Sequence, residues 1–209
     1  KDESISLGLC TEEDVEVFPN AIDSKIFFLQ NKINCRNKLN ISLDKFVIAY
    51  VGYFNERKGS KRVSKVLDRF NDVYSIFIGS GNDRPDCKNQ LYTGPLPHRE
   101  ISKYLNAADV FVLPTLHEGC CNAIIEAMAC GLPIISSNKS FNWDILDESN
   151  SLLIDPLNEN EIFEAIKTLK VNKNQRMKLS QGALNKAKSL RIEERAKNIL
   201  CFMEQKINE

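Results

Sequence analysis

Apolar runs and amphipathic segments alternate along most of the chain between Lys45 and Asp155. The apolar runs predict strands that are buried on both faces, at 45–52, 73–81, 109–115, 132–137 and 151–155. Apolar residues at helical spacing predict helices at 58–70, 98–108 and 121–130, and further helices in the tail at 158–209. Strands that alternate with helices indicate an α/β fold, a Rossmann-like, doubly wound parallel sheet with helices on both faces.

Two stretches depart from this alternation. Residues 15–19, VEVFP, alternate like a short strand that Pro19 ends. The residues between Gly79 and Leu91 show no helical period, although a parallel crossover usually needs about a dozen residues or more and commonly a helix. We therefore expect a bare loop in this crossover.

The composition is that of one soluble globular domain. The chain has 209 residues, of which 43% are hydrophobic and 27% charged. Basic and acidic residues number 28 each, so the charge balance does not point to nucleic acid or an anionic membrane. No apolar run approaches the ~20 residues of a membrane helix, and no signal peptide is visible. We interpret residues 1–14 as the remnant of an interdomain connection, and the chain as a fragment of a longer protein.

The cysteines do not form a metal-binding pattern. There are seven, and no pair has C-x-x-C spacing. Of the two histidines only His117 lies near a cysteine, so we predict no metal site. We expect buried free thiols in the reducing cytosol, which makes the protein cytoplasmic. Cys120 and Cys121 are the exception, because their backbone amides can matter more than their sulfur atoms.

Glycine and small polar residues follow three of the predicted strands. Gly52 ends the first strand, Gly79 and Ser80 end the second, and residues 115–122 follow the third. Ligands of open parallel sheets bind at the carboxyl ends of the strands, where helix N-termini point inward. We therefore expect the functional site at this edge of the sheet.

The stretch after the third strand predicts a helix mouth that can bind an anion. Gly119 allows a tight backbone path, and a helix starts near Cys120 to Asn122. The first N–H groups of a helix have no partner within it, and its dipole favours negative charge, so a phosphate or a sugar hydroxyl can bind there. The alternative is an ordinary helix start that Asn122 caps or water hydrates.

Two glutamates bracket this helix mouth. On a single helix Glu118 and Glu126 would lie about 80° apart, but Gly119 favours a loop position for Glu118. Glu126 then lies on the second turn and faces the same cleft, where a carboxylate suits the cis-diol of a ribose. Glu118 can accept hydrogen bonds from a second polyhydroxyl group. A solvated helix face is the alternative for Glu126, and its apolar neighbours disfavour it.

Two cations stand at another predicted helix start. A lysine at a helix N-terminus is unfavourable by about 0.3–1 kcal/mol unless it meets an anion, so Lys58 suggests a phosphate contact. Arg57 doubles the positive charge. A surface lysine without a ligand is the alternative.

Five blocks of the chain resemble, in order, the retaining glycosyltransferases of the GT-B fold in glycosyltransferase family four (group 1). The first two are VFPNAIDSKIF at 17–27 and VGYFNERKG at 51–59. The third, YTGPLPHREISKYLNAADVFVLPT at 92–115, leads into HEGCCNAIIEAMACGLPII at 117–135, which matches the E-x7-E motif of the family. The fifth is FNWDILDESNSLLIDP at 141–156.

The resemblance implies that residues 1–209 are the C-terminal, donor-binding domain of a two-domain enzyme, with residues 189–209 as its terminal helix. The missing N-terminal domain would bind the acceptor and supply a catalytic histidine. The donor would be a nucleoside diphosphate sugar, with UDP favoured over GDP, and neither metal nor cofactor would be needed. Transfer would retain the anomeric configuration, in the synthesis of surface polysaccharide or a glycoconjugate.

The matched motifs also imply roles for individual residues. Glu126 would bind the ribose hydroxyls, Glu118 would contact the donor sugar, and Lys58 would stabilise the departing diphosphate. The amides of Gly119 to Asn122 would serve the sugar and the phosphates. The nucleobase would lie against a loop formed by Leu91, Tyr92 and Thr93.

Two positions depart from the family pattern. Tyr53 stands where the family has an arginine, which Arg57 or the phenolic hydroxyl of Tyr53 itself can replace. Cys121 stands where the motif usually has its second glycine, and Asn122 beside it can add a side-chain contact. A catalytically silent sugar–nucleotide binding module therefore remains an alternative, as does an epimerase or phosphorylase on the same fold. The resemblance implies no nucleic acid partner, and membrane contact only through the missing domain.

Overall fold

The computed structural model describes residues 1–207 and contains a six-stranded sheet in which all strands are parallel. The strands are β1 (Phe46–Val51), β2 (Val73–Ile78), β3 (Gln90–Gly94), β4 (Val110–Leu113), β5 (Ile134–Ser137) and β6 (Ser151–Ile154). Their order across the sheet is β3-β2-β1-β4-β5-β6. The chain changes direction across the sheet between β1 and β4, so this pair forms the topological switch point of a doubly wound fold.

Helices cover both faces of the sheet. They are α1 (Asp2–Ser6), α2 (Lys32–Lys38), α3 (Ser60–Leu67), α4 (His98–Ala107), α5 (Asn122–Ala129), α6 (Glu159–Val171), α7 (Lys173–Ser189) and α8 (Ile192–Ile207). Helix α3 packs on α6, whereas α4 packs on α2 and α5, and α5 packs on α7. The two groups lie on opposite faces, as right-handed crossovers to either side of β1 require.

The continuous apolar runs of the sequence become the buried centre of this sandwich. Val47, Ile48, Ala49 and Tyr50 of β1 are inaccessible to solvent, because helices cover both faces of the central strand. Helix α5 is also almost wholly buried, and it ends at Gly131, which has φ +78°. The N–H groups of the two residues after its C-cap donate back to the last helical turn at 2.9 and 3.0 Å, in a Schellman motif.

The structure confirms the predicted α/β class, the central strands and the crossover without a helix, since residues 79–89 contain neither a helix nor a strand. The strand predicted at 15–19 is wrong. This segment pairs with no strand, and the nearest ladder contact is an isolated bridge between Ile22 and Arg191. Sequence patterns also missed α1, which lies within the predicted connection, and α2. The last two residues of the predicted terminal helix lie outside the described residues.

None of the helices in residues 1–207 combines the length and the apolar character needed to cross a membrane.

Candidate functional site

The loops that follow β1 and β4 touch each other at the carboxyl edge of the sheet. The N–H of Leu116 donates to the carbonyl oxygen of Arg57 at 2.8 Å. Gly59 precedes α3 with φ +78°, and a Cβ there would lie 3.0 Å from the carbonyl oxygen of Pro114. The glycine therefore permits the close approach of the two loops, which brings the predicted site segments together at the switch point.

Three charged side chains from these loops form one cluster, which we call the charge cluster: Arg57, Lys58 and Glu118. The carboxylate of Glu118 forms ion pairs with Lys58 Nζ and with Arg57 Nη1, the latter at 3.2 Å. It also accepts a hydrogen bond from Thr115 Oγ1 at 3.0 Å. The Lys58 and Glu118 side chains are each only 12% exposed. The two cations that sequence patterns assigned to phosphate are thus paired with a carboxylate of the same chain.

Lys58 links the charge cluster to the start of α5. Its backbone N–H donates to Asn55 Oδ1 at 2.9 Å, so the side chain of Asn55 fixes the loop just before α3. Its Nζ lies 3.8 Å from Cys121 Sγ. Burial raises the pKa of the Cys121 thiol although Lys58 opposes the shift, so the thiol is neutral and a poor nucleophile.

The mouth of α5 differs in two details from the predicted one. Cys121 rather than Asn122 is the N-cap residue, and its side chain makes no capping hydrogen bond. Gly119 does not have a positive φ, and a Cβ there would meet no atom within 4 Å, so the predicted tight backbone path is wrong. The carbonyl oxygen of Cys120 accepts a hydrogen bond from Asn20 Nδ2 at 3.0 Å, which ties the motif to the preceding segment 17–27. The first amides of α5 remain suited to an anion.

Glu126 is buried rather than on a solvated helix face. It is 8% exposed, and its Oε1 lies 2.8 Å from Nε2 of His98, the first residue of α4. Burial raises the pKa of the Glu126 carboxyl, and His98 opposes that rise. The imidazole is exposed on one side and packs against Phe27 on the other, with ring centroids 4.9 Å apart. Sequence patterns did not identify His98 as a site residue.

A small, partly apolar niche lies beside the charge cluster, with a volume of about 230 Å³. The niche is lined in part by Gly52, Tyr53, Gly79, Ser80, Pro95 and Leu96. The strand ends approach so closely here that a Cβ on Gly79 would lie 1.9 Å from the carbonyl oxygen of Gly52. The niche therefore contains four of the predicted substrate-binding residues. A cavity of about 330 Å³ lies at the opposite edge of the sheet and contains none of the predicted residues.

The segment predicted as a base-binding loop is the edge strand β3. Tyr92 and Thr93 pair with β2, and Leu91 lies in the same strand at a register shift. None of the three lines the niche. Pro95 and Leu96, which follow β3, line it instead. An edge strand has a weak pattern of apolar residues because it is only half buried. The remaining sequence signal for β3 is Gly94, which ends the strand before the proline-rich turn.

The cysteines and acidic residues do not assemble into a metal-binding group. In residues 1–207 no cluster of three or more His, Cys, Asp or Glu side chains has the geometry to hold an ion. All seven cysteines are free thiols, and Cys35, Cys121 and Cys130 are buried. Cys201 is exposed, contrary to the prediction of buried thiols.

A sequence model of the family described as glycosyl transferases group 1 matches residues 31–186, which is most of the chain and includes the whole site. This chain belongs to that family. The putative teichuronic acid biosynthesis glycosyltransferase TuaC of Bacillus subtilis is 31% identical over 140 residues, covering 66% of this chain and 36% of TuaC.

Solved structures show the same fold. The C-terminal domain of the group 1 glycosyl transferase LpcC from Francisella tularensis is 21% identical and covers 82% of this chain and 99% of that domain, with a TM-score of 0.71. Anabaena HepE, solved in complex with UDP, is 15% identical and covers 97% of this chain and 61% of HepE, with a TM-score of 0.84. The fold is therefore that of one half of a GT-B glycosyltransferase. The chain spans between a third and a half of the curated relatives TuaC, WclY and MJ1607.

Proposed function

We propose that this chain is the donor-binding part of a retaining glycosyltransferase of family four, and that it binds a nucleoside diphosphate sugar. The observation that carries the proposal is the convergence of Lys58, Arg57 and the start of α5 at the switch point, next to the buried Glu126. Cations and free helix amides favour a diphosphate, and a fixed carboxylate favours a ribose diol. We favour UDP over GDP, which is consistent with the UDP complex of HepE.

In this proposal the diphosphate lies over the charge cluster and the α5 amides of Gly119 to Asn122. Lys58 and Arg57 stabilise the negative charge that develops on the leaving diphosphate. Glu118 turns from the cations to the hydroxyls of the donor sugar. The nucleobase enters the niche between Gly52 and Leu96, and the Tyr53 hydroxyl takes the place of the family arginine at the phosphates.

The second substrate requires residues outside this chain. We propose that a second domain binds a glycan or lipid-linked acceptor and supplies the remaining catalytic groups. The likeness to TuaC, whose name refers to teichuronic acid, supports a role in surface polysaccharide synthesis. We place the enzyme in the cytoplasm, at the inner face of the membrane when the second domain brings it there.

Calorimetry of the 209-residue chain with UDP, UDP-glucose, GDP and GDP-mannose tests the proposal. We expect binding of a uridine nucleotide, and Lys58→Ala to weaken it at least about tenfold, because a charge-assisted contact to phosphate is lost. Lys61→Ala is the matched control, since Lys61 is the second residue of α3, its side chain is 64% exposed, and it pairs with Asp83. If none of the four ligands binds, or if both variants weaken binding equally, the proposed donor site is refuted.

A catalytically silent nucleotide-binding module is the second candidate. Tyr53 favours it, because this residue replaces a phosphate-binding arginine of the family and is 53% exposed. The same titrations separate the two candidates. A donor site also engages the sugar and therefore distinguishes UDP-glucose from UDP, whereas a silent module binds both alike. The chain alone is expected to transfer no sugar, and transfer by it would remove the need for a second domain.

A further inference from the structure

The contact between His98 and Glu126 joins two elements that are distant in sequence. His98 begins α4, and Glu126 lies on the second turn of α5. The imidazole is fixed between the carboxylate, 2.8 Å away, and the buried ring of Phe27.

The contact occupies only one oxygen of the carboxylate. Oε1 of Glu126 faces His98, and among residues 1–207 no hydrogen bond to Oε2 is formed. His98 is also the residue whose contact opposes the raised pKa of the Glu126 carboxyl. When one carboxylate oxygen is fixed by a hydrogen bond, the other oxygen is an acceptor in a defined position for a ligand. An exposed glutamate that rotates freely does not provide such a defined acceptor.

We infer that His98 is a positioning residue for nucleotide binding: it donates Nε2–H to Oε1 of Glu126 and leaves Oε2 aimed at the ribose hydroxyls. The inference rests on the proposed function, because it assigns the ribose to Glu126. His98 begins α4 two residues after Leu96, which lines the niche together with Pro95. Its sequence neighbours Arg99 and Glu100 are exposed.

A pH dependence follows from the direction of the shift in Glu126. Burial raises the pKa of this carboxyl, so binding through the carboxylate is lost as the pH falls through that raised pKa. Removal of His98 takes away the contact that opposes the rise, so the loss begins at a higher pH. The other ionisable groups near Glu126 do not change the expectation that the variant without His98 loses binding at a higher pH than the wild type. Cys130, one turn along α5, has its pKa raised to about 12 and stays neutral, and Glu100 is paired with Lys103.

Calorimetric titration with UDP-glucose between pH 5 and 8 tests the inference, because the diphosphate diester of this ligand does not titrate in that range. We expect His98→Ala to weaken binding about tenfold at pH 7, the effect of losing a hydrogen bond to a charged group. His98→Gln keeps an N–H donor, and the glutamine side chain is uncharged at every pH. It should stay within about threefold of the wild type at pH 8 and lose binding at a higher pH than the wild type does. Arg99→Ala is the control for general disturbance of α4.

A second arm compares UDP with 2′,3′-dideoxy-UDP at pH 7. The loss caused by His98→Ala should appear with UDP and vanish with the dideoxy ligand, whereas distortion of the fold would weaken both. Equal affinities of the wild type and His98→Ala for UDP, or equal losses with both ligands, would overturn the role of His98 and leave the proposed function standing. Failure of the wild type to bind UDP would overturn both.

Discussion

At the scale of single residues, the charge cluster is the feature with the most direct consequence for ligand binding. Glu118 pairs with both Lys58 and Arg57 in the protein without ligand, so an incoming diphosphate must compete with a carboxylate that is already in place. The sequence identified these residues but assigned them to separate parts of the ligand. Only the contact between the loops after β1 and β4 shows that they are partners. In the proposed function, the cluster couples phosphate binding to release of Glu118 toward the sugar.

Glu118→Gln tests this coupling. Removal of the competing charge leaves two cations without a full counter-ion, so we expect UDP to bind about three- to tenfold more tightly. The gain should be smaller for UDP-glucose, because Glu118 is proposed to hold the sugar. Glu56→Gln, two residues before Lys58 on an exposed side chain, changes the net charge equally and is the control. Unchanged or weaker UDP binding, measured by calorimetry, would contradict the competition.

Two glycines of the site differ in what they contribute to stability. Gly79 has φ +151°, and a Cβ there would collide with the carbonyl oxygen of Gly52, whereas a Cβ on Gly119 would meet open space. We expect Gly79→Ala to lower the free energy of unfolding by about 3 kcal/mol, from backbone strain and overpacking. Gly119→Ala should change it by less than about 0.5 kcal/mol. Urea unfolding of both variants measures the difference, and equal losses would show that the strand ends at Gly79 can relax.

At the scale of elements, the strands that are buried on both faces are the ones that the sequence predicts correctly. The strands of the centre are continuous apolar runs because helices cover them on both faces, and each was predicted from its sequence. The edge strand β3 is only partly buried and lacks such a run, so its sequence predicts a loop instead of a strand. The opposite error occurred at 15–19, where alternating apolar residues are not paired in any ladder. The local pattern of apolar residues indicates whether a segment packs against the core. It does not indicate whether a neighbouring strand is available to pair with that segment.

The terminal helix α8 is expected to be the least protected long helix. It has no buried residue, whereas α6, a helix of similar length, buries four. Its anchors include the ring contact of Phe18 with Phe202 and the hydrogen bond from Arg195 Nε to the carbonyl oxygen of Pro19. Local opening is easiest where few apolar contacts must be broken. Amide hydrogen exchange in α8 should therefore be about a hundredfold faster than in α6, and equal protection would show that α8 is held by more than these contacts.

At the scale of the whole molecule, the site lies at one edge of one sheet and faces outward. The niche, the charge cluster, the mouth of α5 and Glu126 all follow the carboxyl ends of strands near the switch point, so a ligand bound there remains open to solvent on one side. In the proposed function, a second domain covers this open side of the site. TuaC and WclY are two to three times as long as the segments that match this chain, which leaves room for such a domain.

The sequence by itself determined the fold class, the central strands and helices, the family, and the residues that gather at the site. It could do so because buried strands, helix periods and strand-end glycines are local patterns. Tertiary structure alone decided that Glu118 pairs with Lys58 and Arg57, that His98 holds Glu126, and that the residues after β3 line the niche. These contacts join side chains that are 28 to 61 positions apart, or depend on how an edge strand pairs. Residues so far apart in sequence come into contact only when the order of the strands in the sheet brings the strand ends together. A local sequence pattern contains no information about that order.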